Sequence, residues 1–247
     1  MRRKTLLFLI LAALSLAVLI SVTACKRSPE VLPAPQEWTM EKRFLIWSPV
    51  ENATGYLVRI DNKEYQTTDS RLELLFLTLT ADYHIDIMAL GDGKAYADST
   101  WTRLTVHLEA PTEHGFDELG FEYTLLEDYS GYEVSRGTAD LHGVITIPDY
   151  YGDYPVTQIA SSGFKLIPMG ELPSEVSGNV ITTGIQFPSR LESIGAFAFY
   201  GSFTIEELVI PDTVTSIGNK AFAYCYGLKR LVLSKKLKVI GDSAFID

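Results

Sequence analysis

The sequence predicts a mainly β protein in which a β-sandwich is followed by a short solenoid. Three observations predict it. Ile194-Gly195 with Ala198-Phe199 recurs as Ile217-Gly218 with Ala221-Phe222, then as Ile240-Gly241 with Ala244-Phe245, at steps of 23 residues. A fixed step of this size marks stacked units that share one core. Ahead of the repeat, short β-type runs alternate with turn residues, the pattern of a sandwich. In front of both stands an apolar segment preceded by Arg2, Arg3 and Lys4.

Residues 1–24 read as a secretory signal, a basic start followed by an apolar run from Leu6 to Val22. The run is near the ~17-residue minimum for crossing a bilayer, so an uncleaved anchor is the alternative. The cysteine after it favours the cleaved signal. Val22-Thr23-Ala24-Cys25 resembles the lipobox of bacterial lipoproteins. The resemblance implies cleavage before Cys25, a diacylglyceryl group on its sulfur, and a lipid-anchored place on the extracytoplasmic face of a bacterial membrane, at the cell surface. Two or three acyl chains hold a protein to a membrane, where one alone is marginal. Lys26, not Asp, follows the cysteine, so the inner-membrane retention signal of some two-membrane bacteria is missing. Residues 25–34 then form a lipidated tether stiffened by Pro29 and Pro33.

The chain carries a formal charge of −10, and loss of the signal's three positive charges takes it to −13. Nucleic acid requires a basic footprint, so it is not an expected partner. Cys25 and Cys225 are the two cysteines. With Cys25 assigned to lipid, no disulfide is expected, and stability rests on apolar cores.

Residues 35–109 hold the first domain. Its runs are Phe44-Leu45-Ile46-Trp47, Tyr56 to Ile60, Leu72 to Leu75, Tyr83 to Ala89 and Trp101 to Leu108. Asp61-Asn62, Thr68-Asp69-Ser70 and Gly91-Asp92-Gly93 supply the turns between them. Trp47-Ser48-Pro49, followed by Gly55-Tyr56-Leu57-Val58, resembles a fibronectin type III domain, an immunoglobulin-like sandwich. Leu77 with Tyr83-His84-Ile85 resembles the tyrosine corner of that fold. Family members place binding residues in the loop that Gly91 to Lys94 would form; a tight turn is the simpler reading. The phosphate-loop spacing is missing.

Residues 110–120 read as a linker, and residues 121–247 as the repeats. Phe121 to Leu126 and Tyr132 to Val134 form a hairpin that opens the stack. Ile185-Gln186-Phe187-Pro188, Leu208-Val209-Ile210-Pro211 and Leu231-Val232-Leu233-Ser234 are equivalent strands. Val144 to Pro148 is an earlier version, lengthened by Asp149 to Pro155 and set apart by an insertion around Pro168 to Gly184. Each unit makes a strand, turns at Pro, makes a second apolar segment, and turns again at Gly. Ile210-Pro211 through Val214, Ile217-Gly218, Ala221-Phe222, Cys225 and Leu228 resembles the BspA-like leucine-rich repeats. The resemblance implies a leucine-rich-repeat solenoid, a secreted or surface setting, and, for several members, adhesion. Cys225 fills the family's cysteine place and Ser202 stands there one unit earlier, as small residues inside the coil. The chain stops at Phe245-Ile246-Asp247 with no polar cap in view, which reads as truncation of a longer parent or a short family member, the alternative being a partner or second copy that covers the open edge.

No catalytic constellation stands out. His84, His107, His114 and His142 lie outside any H-E-x-x-H or C-x-x-C context, and no G-x-S-x-G elbow occurs. No enzyme activity, cofactor or metal is expected. The candidate ligand-contact surface is Tyr150, Tyr151 and Tyr154 with Asp153, because tyrosine offers large contact area at low entropy cost. The expected role is a non-catalytic binding or adhesion module for an extracellular protein or glycan. The alternative is an accessory subunit or enzyme of cell-wall or polysaccharide processing.

Overall fold

The computed structural model describes residues 28–166 and 181–246. The signal segment, Cys25 and most of the expected insertion lie outside the described residues. The described chain is mainly β and contains no helix. Its first nine strands are β1 (Glu30–Val31), β2 (Trp38–Glu41), β3 (Phe44–Trp47), β4 (Gly55–Ile60), β5 (Lys63–Thr67), β6 (Arg71–Glu73), β7 (Ala81–Leu90), β8 (Tyr96–Ala97) and β9 (Thr102–Leu108).

Two compact units emerge. One holds residues up to 37, 47–70 and 84–104; the other holds 38–46, 71–83 and everything from 105 onward. This division differs from the boundaries expected at 109 and 121. The three-stranded sheet β2–β3–β6 groups with the repeats.

The first unit is built on a four-stranded sheet in the order β5–β4–β7–β9. Alternation explains it: Tyr56, Val58 and Ile60 are buried on β4, and Ile85, Ile87 and Ala89 on β7. Trp47 packs edge-on against Tyr56 at 5.2 Å. The Tyr56 hydroxyl accepts the Val50 N–H at 2.8 Å. β4 and β5 meet through the two-residue turn Asp61-Asn62, with Ile60 opposite Lys63. Both turn residues have positive φ, 47° and 65°, as a type I′ hairpin requires. The Gly91 to Lys94 loop is closed from within. Asp92 Oδ1 accepts the N–H groups of Lys94, Ala95 and Tyr96 at 2.8–2.9 Å. Those bonds hold the Asp92 carboxyl below its usual range.

The second unit adds twelve strands. A hairpin opens it: β10 (His114–Phe116), β11 (Glu122–Leu125) and β12 (Tyr132–Ser135), antiparallel in that order. Then come β13 (Gly143–Thr146), β14 (Tyr150–Tyr151) and β15 (Tyr154–Ile159). The remaining six are β16 (Thr182–Gln186), β17 (Ser193–Ile194), β18 (Glu207–Val209), β19 (Ser216–Ile217), β20 (Arg230–Val232) and β21 (Val239–Ile240). One parallel sheet runs β13–β16–β18–β20. A second runs β12–β15–β17–β19–β21, so successive units of the repeat pair strand to strand. The Tyr83 hydroxyl donates to the Leu79 carbonyl at 3.1 Å.

The repeat's phenylalanines form one column. Phe164, Phe199, Phe222 and Phe245 lie at successive centroid distances of 5.1, 5.3 and 5.3 Å. Phe121, from the opening hairpin, lies 5.9 Å from Phe164 and closes the column. The last three rings recur 23 residues apart, and Phe164 stands 35 residues before Phe199 because the insertion separates them.

The repeat's glycines have a different task from the expected one. An added Cβ would lie 2.5 Å from the Ser161 nitrogen at Gly195, 2.5 Å from the Ala196 nitrogen at Gly218, and 2.3 Å from the Asn219 nitrogen at Gly241. They permit close approach of neighbouring backbones and do not adopt positive φ. The left-handed turn falls two residues later, at Ser162, Phe197, Lys220 and Ser243, with φ of 54–59°. Such a backbone costs about 1 kcal/mol for a residue with a side chain. Bonds between units offset it: Phe197 N–H reaches Asn219 O at 2.9 Å, and Lys220 N–H reaches Asp242 O at 3.0 Å.

Candidate binding site

The site grows from a hairpin. Tyr150 pairs with Pro155 and Tyr151 with Tyr154 across β14 and β15. The connecting pair is Gly152-Asp153, with Gly152 at φ +58° and Asp153 in the ordinary region. Glycine at the first of two central positions is what a type II′ hairpin needs. The turn carries Asp153 out to solvent and folds the two tyrosines against β11 and β12.

There the rings form a box. Tyr151 stacks on Tyr123 at 4.4 Å, with planes 8° apart. Tyr132 meets Tyr151 edge-on at 5.1 Å and Tyr154 edge-on at 6.3 Å. Two hydroxyls are spent locally: Tyr123 donates to Asp117 Oδ2 at 2.7 Å, and Tyr132 donates to Thr112 O at 2.5 Å. Burial pushes the Tyr132 hydroxyl up to about 12 and raises that of Tyr154 as well.

One cation stands against it. Arg43 is 3% exposed, and its guanidinium carbon lies 4.6 Å from the centre of the Tyr154 ring. Its Nη atoms donate to the carbonyls of Leu77 and Glu109. Its Nε and the Tyr154 hydroxyl are buried and have no hydrogen-bond partner. Among the described residues, no carboxylate forms an ion pair with this buried guanidinium. Nearby, Lys42 Nζ donates to Gly152 O at 3.0 Å and lies 5.5 Å from the Tyr150 ring. Arg190 bonds Glu73 at 2.6 Å.

Beside this group lies a cavity of about 380 Å³. Arg43, Pro111, Tyr132, Tyr151, Asp153 and Tyr154 line it. The volume falls in the range of small-molecule sites. Of the sequence candidates, Tyr151, Asp153 and Tyr154 thus meet at one place. Tyr154 is 2% exposed and acts from within the wall, so it is not part of an open contact surface. Tyr150 is partly exposed and faces Lys42. Sequence reasoning missed Arg43. A signal existed, because Arg43 is in phase with Leu45 and Trp47, the buried row of β3.

Elsewhere, His107 lies 2.7 Å from Asp82 and 3.1 Å from Glu109, exposed to solvent. Among the described residues, no group of three or more His, Cys, Asp or Glu is placed to hold a metal ion. Cys225 is buried, with its Sγ 3.7 Å from Phe199 O.

Residues 177–247 match the family model described as BspA type leucine rich repeat region (6 copies). These residues are similar to BspA-type leucine-rich repeats. No curated protein matches the chain. Solved structures of leucine-rich-repeat proteins are similar to it. A T. pallidum leucine-rich-repeat protein is 24% identical over 51% of this chain and 52% of its own, with a TM-score of 0.43. A leucine-rich-repeat protein of Bacteroides capillosus is 19% identical over 52% of this chain and 88% of its own, with a TM-score of 0.43. A leucine-rich cell surface protein of Faecalibacterium prausnitzii is 24% identical over 55% of this chain and 34% of its own, with a TM-score of 0.42. The chain thus spans about half the length of the T. pallidum protein. The BspA-type repeats begin after the tyrosine box, whose residues precede the matched segment.

Proposed function

We propose that this chain is a lipid-anchored bacterial surface protein that binds an extracellular protein or glycan and catalyses no reaction. Residues 35–109 are read as a fibronectin type III-like sandwich serving as a stalk, and the repeats as a solenoid that frames the binding site. The cavity beside Arg43 and the tyrosine box carries the reading. It combines aromatic walls, buried donors and a solvent-facing carboxylate, the mixture small-ligand sites use. The Val22-to-Cys25 motif supports the anchor, and the BspA-type repeats support a surface role.

The test is a screen of the full chain, held in detergent, on glycan and extracellular-matrix arrays. Specific binding without turnover is expected. Silence on both arrays, or hydrolysis of an arrayed glycan that is lost in an Asp or Glu point variant, would overturn the reading.

A further inference from the structure

We infer that the cavity beside Arg43 takes the carboxylate-bearing ring of an acidic glycan, a uronate, with Arg43 as the anion's partner. The inference rests on the surface-binding reading and names the ligand class for that site. A buried guanidinium is ordinarily paired with a carboxylate, because desolvating an uncompensated charge is unfavourable. Arg43 has two carbonyls and a tyrosine ring instead, and its Nε–H is left over. Tyr154 lines the same cavity, and its buried hydroxyl is also without a partner. A carboxylate entering here would balance the charge, and a small turn of either side chain toward the cavity would bring its unpaired donor to the anion.

The rest of the wall suits a sugar ring. Pro111 and the half-buried Tyr151 provide apolar surface for C–H groups. Asp153, on the hairpin turn, is an acceptor for ring hydroxyls. The other nearby carboxylate, Glu109, is directed to His107 and Thr80, at 3.1 and 3.2 Å.

Calorimetric titration of the full chain in detergent, with sodium glucuronate, glucose and sodium acetate in separate runs, tests this. Glucuronate should bind and glucose should not. Acetate should bind at least tenfold more weakly than glucuronate. Arg43→Met should abolish glucuronate binding. Because that variant also disturbs a buried cation, Tyr154→Phe serves as the second variant. It keeps the ring under the guanidinium and should weaken glucuronate by about tenfold, as loss of one bond to a charged group does. Its melting temperature should stay within a few degrees of the parent. Equal binding of glucose and glucuronate would overturn the assignment of an anion. Equal binding of acetate would overturn the assignment of a sugar. No glucuronate binding, with array binding intact and unchanged in Tyr154→Phe, would remove the site and leave the surface-binding reading standing. Silence on the arrays would remove that reading instead.

Discussion

Phe199 and Phe222 stack with their ring centres 5.3 Å apart and their planes 6° from parallel. Phe222 repeats the arrangement with Phe245, so both of its faces are covered by phenylalanine. The column is the part of the core that crosses every unit boundary.

Phe222→Ala should therefore break the repeat's continuity. Deleting a buried phenylalanine costs about 3–5 kcal/mol. Urea unfolding of the variant should show a fall of that size. A midpoint equal to the parent's would mean that the column does not bear on stability.

Gly218→Ala should be severe for a different reason. Its Cβ would press on backbone atoms of Gly195 and Ala196 at 2.5–2.8 Å, where no side chain can swing aside. Overpacking of this kind costs about 1–3 kcal/mol. Gly184→Ala is the matched control, since its Cβ would meet only Val144 methyls at 3.7 and 3.9 Å. Thermal melts of the two variants should separate clearly, with Gly184→Ala near the parent.

His107 should make stability depend on pH. Asp82, then Glu109, raise its pKa above the ordinary 6.5. A raised folded-state pKa stabilises fully below the unfolded value, and the contribution is lost as pH rises through the folded value. The partner Glu109 has a lowered pKa through His107. Its share is lost at the other end, as pH falls through its own depressed value below 4.5. Denaturation midpoints should fall as pH climbs above about 6.5. His107→Gln should flatten that slope. An unchanged slope in the variant would assign the dependence to another group.

Cys225→Ser should be mild. Ser202 occupies the equivalent place one unit earlier and is equally buried, at 1% exposure against 3%. In the parent, a thiol reagent should label Cys225 only as fast as the repeat opens. Immediate labelling under native conditions would place the sulfur at the surface.

If Cys25 carries the proposed lipid, Cys25→Ser should lose the acyl-chain mass from the mature protein and release it from the membrane fraction of expressing cells. Retention of the variant in that fraction would favour an uncleaved apolar anchor over the lipid.

The repeat was legible because its signals are local and periodic. Ile, Gly, Ala and Phe recur at one step, and the same step governs strand pairing and ring stacking. The left-handed positions were not legible, because Ser162, Phe197, Lys220 and Ser243 share no chemistry. Ser162, Phe197 and Lys220 donate their N–H groups to the next unit, a contact that no single unit encodes. The site was half legible. The hairpin Tyr150 to Tyr154 announced itself by composition, but Arg43 joins it across 111 residues. Alternation in β3 flags a buried position for Arg43 and says nothing of what it meets.

The hydrogen bonds between units run in both directions. Gly218 N–H points back to Ile194 O, while Phe199 N–H points forward to Ala221 O. An α-helix aligns its peptide dipoles and gathers a partial charge at each end. Here the opposed bonds largely cancel along the stack axis, as alternating dipoles do in a sheet. The backbone of each unit therefore adds little net dipole along the stack, unlike a turn added to a helix.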